Sequence, residues 1–453
     1  MMRHLFLKFS LIVSLFTTNS SILSAQETFK FKNEKKRALN LRFQSINNLI
    51  ILKAKLNGQE LNFLLDSGVS KTVVFAKEID SALLKDFSYV NVKSYGSKIP
   101  VKAYRSEGNK VDFGKIVGHD QDIYFIVDER MNLSQKIGIN IQGIIGYEFL
   151  KSFVFRINYL KNSIRVYQHE KFNRNLRSFK KLDFRFYKNK PHFKMPVQYL
   201  DGQKDTLVML MDLGASDSFW VFEDEKRKAP KASFTDIVGY GLESPIYGKR
   251  SKLQSAKMAS VVFEYPRASF VDESDKLKVS VDDFKNGLVG GEILRRFKLF
   301  LNYKTASIYL KPNQNFDDTF NYDRSGLILT YSGKKIKTYK EQVRVFSKPD
   351  EVNTGYNQYK NEQKFKIRYQ VTDVLSVENI RPNSPASQKD IQIGDQLLSI
   401  NGSSVDKMDS KEIIKRLSQE SGTKIKLKLL RQSKILKREI ILENQFDAFE
   451  KMN

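Results

Sequence analysis

The chain has 453 residues, of which 41% are hydrophobic, and a formal net charge of +26. That length and apolar content allow about three domains of roughly 150 residues. The absence of cysteine excludes disulfides and an acylated lipoprotein anchor, so stability must come from packing.

A basic charge alone would favour nucleic-acid binding, but the lysines are spread over the whole chain and accompany no platform of arginines and aromatic residues. That spread favours a solvated surface, or attraction to anionic envelopes or acidic substrates. We therefore expect no nucleic-acid partner, and a binder of anionic polymers remains an alternative that salt would weaken steeply.

The first 25 residues have the pattern of a cleaved secretory signal. Arg3 and Lys8 precede an apolar stretch at 11–16, and Ser24 and Ala25 supply small residues at its end. The apolar stretch is too short to span a membrane, and no later run approaches the required length. The sequence therefore predicts export, to the periplasm or cell envelope of a bacterium or as a secreted protein, without a membrane span.

Two stretches share one pattern, an apolar strand that runs straight into Asp-x-Gly-x-Ser. The motif residues are Asp66, Ser67, Gly68 and Ser70 in the first copy, and Asp212, Gly214 and Ser216 in the second. A lone aspartate at the end of a strand is normally a turn or capping residue. Two copies in matching contexts need another explanation.

The parallel extends on both sides of the motif. Asn57-Gly58 and Asp201-Gly202 are two-residue turns that close a hairpin ahead of each copy. An apolar pair followed by glycine, at Gly146 and Gly290, comes later in each. The aspartates stand 146 residues apart and these glycines 144. We infer an internal duplication, with repeats at about 26–170 and 171–315, both mostly β and without a βαβ rhythm.

Paired aspartates can carry acid–base chemistry. If the repeats pack about a pseudo-twofold axis, Asp66 and Asp212 meet at that axis. Two carboxylates a few ångströms apart cannot both ionise cheaply, so the pair keeps one shared proton. One carboxyl can then take a proton from water while the other donates one to a scissile carbonyl. This hydrolysis needs no metal and no cofactor.

The other motif residues have expected supporting roles. Gly68 and Gly214 let the backbone turn sharply, so that amide groups can donate to the carboxylates. Ser70 and Ser216 can donate to the outer carboxylate oxygens and hold their orientation.

The doubled Asp-x-Gly-x-Ser, each followed by an apolar-apolar-Gly, resembles the pepsin and retropepsin aspartyl proteases over residues 26–315. The resemblance implies that Asp66 and Asp212 are the catalytic pair and that the substrates are polypeptides. It also implies hairpins over a cleft, at about 95–108 and 240–248.

The resemblance is incomplete at one position. The family usually has Thr or Ser after each aspartate, and the two hydroxyls lock the loops together across the axis. Ser67 fits this pattern, whereas Leu213 cannot. Two hypotheses therefore stay open: an active aspartic endopeptidase, and a catalytically inactive peptide-binding protein of the cell envelope in which Leu213 only packs at the interface.

The remaining segment, 316–445, has a different character. A lysine-rich polar stretch at 333–361 is typical of an exposed loop or linker-like insertion. The turn motifs that follow are Ser384-Pro385-Ala386, Ile393-Gly394-Asp395 and Ile400-Asn401-Gly402. Together with Gly326-Leu327-Ile328 they resemble a PDZ domain. The resemblance implies that residues 326–328 offer amides to the C-terminal carboxylate of a peptide, which adds to the sheet edge. Alternatively, the domain only packs against the protease lobes.

The predicted fold is therefore mostly β, with two pseudo-twofold-related aspartyl-protease β lobes followed by a PDZ-like β/α module. Other chemistries find little support. The four histidines are far apart in the sequence and form no metal-spaced cluster. No Gly-x-Ser-x-Gly or phosphate-binding loop is evident.

Overall fold

The structure is a computed structural model that describes residues 29–76, 86–92, 101–127, 141–240, 245–272, 285–347, 360–408, 410–444 and 446. The predicted signal segment lies outside these residues. No helix within them is long and apolar enough to cross a membrane.

In the described residues of the first repeat, short strands accompany helix α1 at Tyr147–Lys151. Its strands are β1 Lys30–Phe31, β2 Ala38–Arg42, β3 Gln44–Ile46, β4 Leu49–Leu56, β5 Gln59–Leu65, β6 Thr72–Ala76, β7 Phe87–Val92, β8 Val101–Asp112, β9 Ile116–Val127, β10 Gly143–Ile145, β11 Val154–Asn158 and β12 Ser163–Tyr167. A single 3-10 turn, Tyr159–Lys161, separates the last two strands.

The second repeat is likewise built from short strands, with helix α2 at Gly291–Leu294. Its strands are β13 Lys180–Asp183, β14 Arg185–Tyr187, β15 Lys190–Gln198, β16 Lys204–Met211, β17 Phe219–Phe222, β18 Phe234–Tyr240, β19 Pro245–Lys252, β20 Ser255–Met258, β21 Val261–Glu264, β22 Arg267–Val271, β23 Gly287–Val289, β24 Phe297–Asn302 and β25 Ser307–Pro312.

Both repeats place the motif strand between equivalent neighbours. β5 pairs antiparallel with β4 and parallel with β10, just as β16 pairs with β15 and β23. The strand after each motif, β6 or β17, pairs antiparallel with β10 or β23 and parallel with β9 or β22. This matching order of parallel and antiparallel pairs is the arrangement that a pseudo-twofold relation requires.

A six-stranded sheet joins the two halves, in the order β13-β25-β24-β11-β12-β2. Its central pair is antiparallel and sets Phe155 of the first repeat opposite Leu301 of the second. The largest apolar cluster also runs through both halves, and it contains Phe63 and Met209 from the two motif strands. The shared core therefore fixes the two motif loops relative to each other.

Hairpins occur in both regions where the resemblance predicts them. β7 pairs antiparallel with β8, and β18 with β19. The connecting segments, 93–100 and 241–244, lie outside the described residues, as does most of the tip of the first predicted hairpin. Tyr104 of β8 packs edge-on against Phe87 and Tyr89.

The elements of the C-terminal segment are β26 Leu327–Ser347, β27 Lys360–Ile380, β28 Gln396–Ile400, β29 Ser403–Ser404, a 3-10 turn at Val405–Lys407, helix α3 Ser410–Leu417, β30 Lys424–Arg431 and β31 Lys434–Ile441. They form a separate sheet in the order β26-β27-β28-β30-β31. A separate apolar cluster, including Leu329, Val377, Ile413 and Leu427, forms its core. Strands make up 57% of the structure and helices 6%, so the predicted mostly β fold is confirmed.

The interpretation of 333–361 as a loop is wrong where the structure describes it. β26 and β27 pair from Leu327 opposite Ile380 to Ser347 opposite Lys360, with two register shifts near the base, and form one long hairpin. Lysine-rich composition suggested a loop, because most of the described side chains at 333–342 face water. Cross-strand backbone hydrogen bonds nevertheless satisfy the peptide groups, and such long-range pairing is not visible in local composition. Residues 348–359 lie outside the described residues.

Candidate active site

The two motif aspartates occupy equivalent backbone positions. Asp66 follows β5, and its N–H donates to the carbonyl of Ile145 at 2.9 Å. Asp212 follows β16, and its N–H donates to the carbonyl of Val289, also at 2.9 Å. The parallel strand in each repeat therefore holds its aspartate by the same hydrogen bond.

The glycines of the motif bring the two carboxyl groups close together. The N–H of Gly68 donates to Asp66 Oδ1 at 2.6 Å, and that of Gly214 donates to Asp212 Oδ1 at 2.8 Å. A Cβ on Gly68 would lie 3.3 Å from Asp212 Oδ1, and one on Gly214 would lie 2.4 Å from Asp66 Oδ2. Each carboxyl thus lies against the glycine of the other loop, as the pseudo-twofold interpretation predicts.

Burial and mutual charge control the protonation of the pair. Asp66 and Asp212 are both fully buried. Burial, together with the charge of Asp212, raises the pKa of Asp66 well above its usual range. Burial also raises the pKa of Asp212, while the hydrogen bond with Asp66 opposes that rise. The pair therefore retains a shared proton at pH values where an ordinary carboxyl is ionised.

A single hydroxyl links the two loops. Ser67 Oγ donates to the carbonyl of Met211 at 2.7 Å and accepts from the N–H of Leu213 at 2.9 Å. The locking role expected of Ser67 is therefore present. Leu213 has no hydroxyl to return the contact, and its side chain is buried in the main core. The link across the axis is thus one-sided.

The two motif serines do not hold the carboxylates. Ser70 Oγ donates instead to the carbonyl of Lys188 at 2.6 Å. Ser216 Oγ is buried and has no hydrogen-bond partner among the described residues, while its carbonyl accepts from Asn48 Nδ2 at 3.0 Å. Four residues after each aspartate, the chain has already turned away, so the glycine amides are the donors that remain close.

A buried lysine near the pair was not predicted. Lys190 begins β15 and is 6% exposed, and its charge lowers the pKa of both aspartates against the larger effect of burial. The strand registers make Leu49 its counterpart in the first repeat. Aligning the two repeats residue by residue would have revealed a lysine in an apolar strand position, which is the signal that the sequence offers.

Beyond its motif, the second loop is tied to a buried ion-pair network. Asp217 Oδ2 pairs with Arg250 Nη1 and also accepts from Ser269 Oγ at 2.7 Å. Asp236 Oδ2 lies 3.3 Å from Arg250 Nε and 3.2 Å from Nη2 of Arg381, which belongs to the C-terminal segment. All of these side chains are buried. The network therefore connects the Asp212 loop, the β18–β19 hairpin and the C-terminal domain.

The predicted carboxylate-binding amides already have acceptors within the chain. The N–H of Gly326 donates to Asp323 Oδ1 at 2.8 Å, and that of Leu327 donates to Ser325 Oγ at 3.1 Å. Leu327 is buried in the domain core, and Ile328 packs against an apolar cluster formed by the two repeats. In this structure, Asp323 thus stands where a peptide carboxylate was expected.

No group of three or more His, Asp or Glu in the described part of the chain could hold a metal ion.

Comparisons with known proteins bear on both regions. Residues 52–149 match a family model described as aspartyl protease, and residues 376–431 match one described as PDZ domain. Both predicted resemblances are confirmed. The aspartyl-protease match contains Asp66 and Gly146, and the PDZ match runs from within β27 to the end of β30. The loop at 326–328 precedes the matched PDZ residues.

One similar solved structure is an aspartic proteinase from Irpex lacteus. It is 12% identical with a TM-score of 0.41, and the match covers 63% of this chain and 100% of that chain. No curated protein matches the sequence.

Proposed function

We propose that the chain is an exported aspartic endopeptidase, which hydrolyses peptide bonds with the Asp66–Asp212 pair and water. The observation that carries the proposal is the burial of two carboxyl groups in equivalent loops, each against the glycine of the other. Burying two carboxyls side by side costs stability. Buried groups with strongly shifted pKa values cluster at functional sites.

The protonation of the pair suggests the division of labour. The ionised carboxyl of the pair takes a proton from a water molecule held between the two groups. The protonated carboxyl donates its proton to the carbonyl oxygen of the scissile peptide as the water oxygen attacks the carbon. Collapse of the tetrahedral intermediate then breaks the C–N bond, and the nitrogen receives a proton from the pair.

We propose that the PDZ domain positions polypeptide substrates beside the cleft. Its close packing supports this role, because Ile328 reaches the protease lobes and Arg381 joins the buried network. Capture of a free C-terminal carboxylate at 326–328 would require displacement of Asp323. Export to the periplasm, cell envelope or medium rests on the pattern of residues 1–25 alone.

The test is cleavage of unfolded casein by the mature chain from acid to neutral pH. We expect Asp66→Asn and Asp212→Asn each to abolish cleavage while the circular dichroism spectrum stays native. Asp183→Asn, at an exposed position of β13, is the matched control and should cleave like the parent chain.

A folded parent chain that cleaves nothing at any pH would overturn the enzyme proposal. That result would favour the alternative hypothesis of an inactive peptide-binding protein, which the one-sided link at Leu213 also favours. That alternative predicts binding of extended peptides which both aspartate variants retain.

A further inference from the structure

The outer part of the β26–β27 hairpin is a two-stranded ribbon, here called the arm, formed by residues 334–347 and 360–373. The register runs from Lys334 opposite Asp373 to Ser347 opposite Lys360. Among the described strands, only β28 also pairs with β27, and it does so at Ser376, below the arm. At roughly 3.3 Å per residue, the arm extends about 45 Å from the body of the domain.

One face of the arm is a row of exposed apolar side chains. Strand alternation sets Phe365, Ile367, Tyr369 and Val371 on the same face, and Ile336 lies opposite Val371. Each of the five is between 53% and 71% exposed. Single exposed apolar residues are ordinary, but a contiguous row of this kind marks an interaction surface. We call this row the apolar face.

The opposite face carries charged and polar residues together with Tyr339, and its base faces the body of the domain. There Lys337 pairs with Asp406, which precedes helix α3, and further out Arg368 pairs with Glu341. The ion pair at Asp406 orients the base of the arm. It therefore leaves the apolar face directed away from the domain.

The charge around the apolar face favours an anionic occupant. Lys340 lies opposite Ile367 on this face, and Lys334 lies on the same face, opposite Asp373. Lys335 and Lys366 lie on the other face, together with the ion-paired Lys337 and Arg368. Two copies of the arm would bring these like charges together, which disfavours self-association. Ile367 and Val371 interrupt the aromatic residues, so the row does not offer the continuous ring faces on which nucleic-acid bases stack.

Aromatic and aliphatic side chains bordered by lysines match the chemistry of a bilayer surface. Phe and Tyr bury their rings at the boundary between headgroups and acyl chains, and lysines extend their ammonium groups to anionic headgroups. A two-stranded ribbon is also only marginally stable alone in water, so contact with lipid would stabilise it. We propose that the apolar face inserts shallowly into an anionic membrane surface and holds the protein there. This membrane contact is independent of the catalytic proposal.

Sedimentation with vesicles tests the proposal, using phosphatidylcholine alone and phosphatidylcholine mixed with phosphatidylglycerol. The mature chain should sediment with the mixed vesicles and stay in the supernatant with the zwitterionic ones. The triple variant Phe365→Ser, Ile367→Ser, Tyr369→Ser should bind roughly a hundredfold more weakly, because it loses most of the apolar surface available for burial. Tyr339→Ser with Gln370→Ser changes the opposite face without altering charge, and should bind normally.

A fluorescence pair keeps the proposal testable if the triple variant misfolds. Phe365→Trp should show a blue-shifted emission on mixed vesicles, whereas Tyr339→Trp should not; the native Trp220 is buried and common to both. Unchanged binding by the triple variant, or equal shifts in the two tryptophan variants, would overturn the proposal. A solution dimer that the triple variant abolishes would also overturn it, and would assign the apolar face to a second copy.

Discussion

The two motif loops have the same backbone but different anchors. The carboxylate of each aspartate accepts a hydrogen bond from a glycine N–H, and its backbone N–H donates to a carbonyl of a parallel strand. The first loop supplies the hydroxyl that crosses the axis, from Ser67. The second loop has the apolar Leu213 in place of that hydroxyl, and the buried ion pair of Asp217 with Arg250 anchors it instead.

The difference shows which parts of the arrangement are interchangeable. The glycine contacts recur in both loops because each carboxyl needs an amide donor and close approach at the axis. The anchoring interaction is free to differ, since a hydroxyl latch and a buried ion pair can each fix a loop. At Lys71, the first loop has a basic, less buried residue where the second has Asp217. Leu213 is thus compatible with a positioned Asp212.

Among variants that keep both aspartates, the largest effect is expected from adding one methyl group to the second loop. In Gly214→Ala, the Cβ would lie 2.3 Å from Asp66 Cγ, so the carboxyl must move. We expect cleavage to fall about a hundredfold or more, because misplacing a reacting group by about 1 Å has that cost.

Gly68→Ala is the matched variant in the other loop. Its Cβ would meet Asp66 Oδ1 at 3.1 Å and Asp212 Oδ1 at 3.3 Å, which small shifts can relieve. Cleavage should fall by about tenfold at most. Steady-state kinetics on one peptide substrate compares the two. Equal losses would contradict the asymmetry of the loops.

The anchors should differ in their contribution to stability. Arg250→Met removes the buried guanidinium that pairs with Asp217 and Asp236, and we expect a loss of about 3–5 kcal/mol in unfolding free energy. Ser67→Ala leaves the Met211 carbonyl and the Leu213 amide without their partner, at a cost of about 1–3 kcal/mol. Urea unfolding followed by circular dichroism measures both losses.

Two conservative variants serve as controls for these anchors. Arg185→Met removes an arginine from an exposed strand, and Ser70→Ala removes a hydroxyl outside the latch. Both should leave the unfolding midpoint close to that of the parent chain. A Ser67→Ala loss as large as that of Arg250→Met would mean that the latch, rather than the network, dominates the interface.

The sequence predicted the parts that local chemistry encodes. Asp-x-Gly after an apolar strand specifies its own turn, so Asp66, Asp212 and the glycine amides could be identified from a few adjacent residues. The partner of Ser70 could not, because it depends on where the β14–β15 turn of the other lobe lies. The arm was missed for a similar reason. Phe365 to Val371 alternates as a strand should, but its partner strand is polar and distant in sequence.

The smallest effect, a shift in pH dependence, tests the remaining difference between the repeats, Lys190 in place of Leu49. Burial raises the pKa values of both aspartates, and the positive charge of Lys190 opposes that rise by favouring the ionised forms. Lys190→Met removes the opposition, so both pKa values should increase. The singly protonated pair is the active form. Both limbs of the profile of kcat/KM against pH should therefore move to higher pH, by about one unit.

Lys194→Met changes an exposed lysine on the same strand and should leave the profile in place. A profile that Lys190→Met leaves unmoved, or moves to lower pH, would show that the lysine does not control the protonation of the pair.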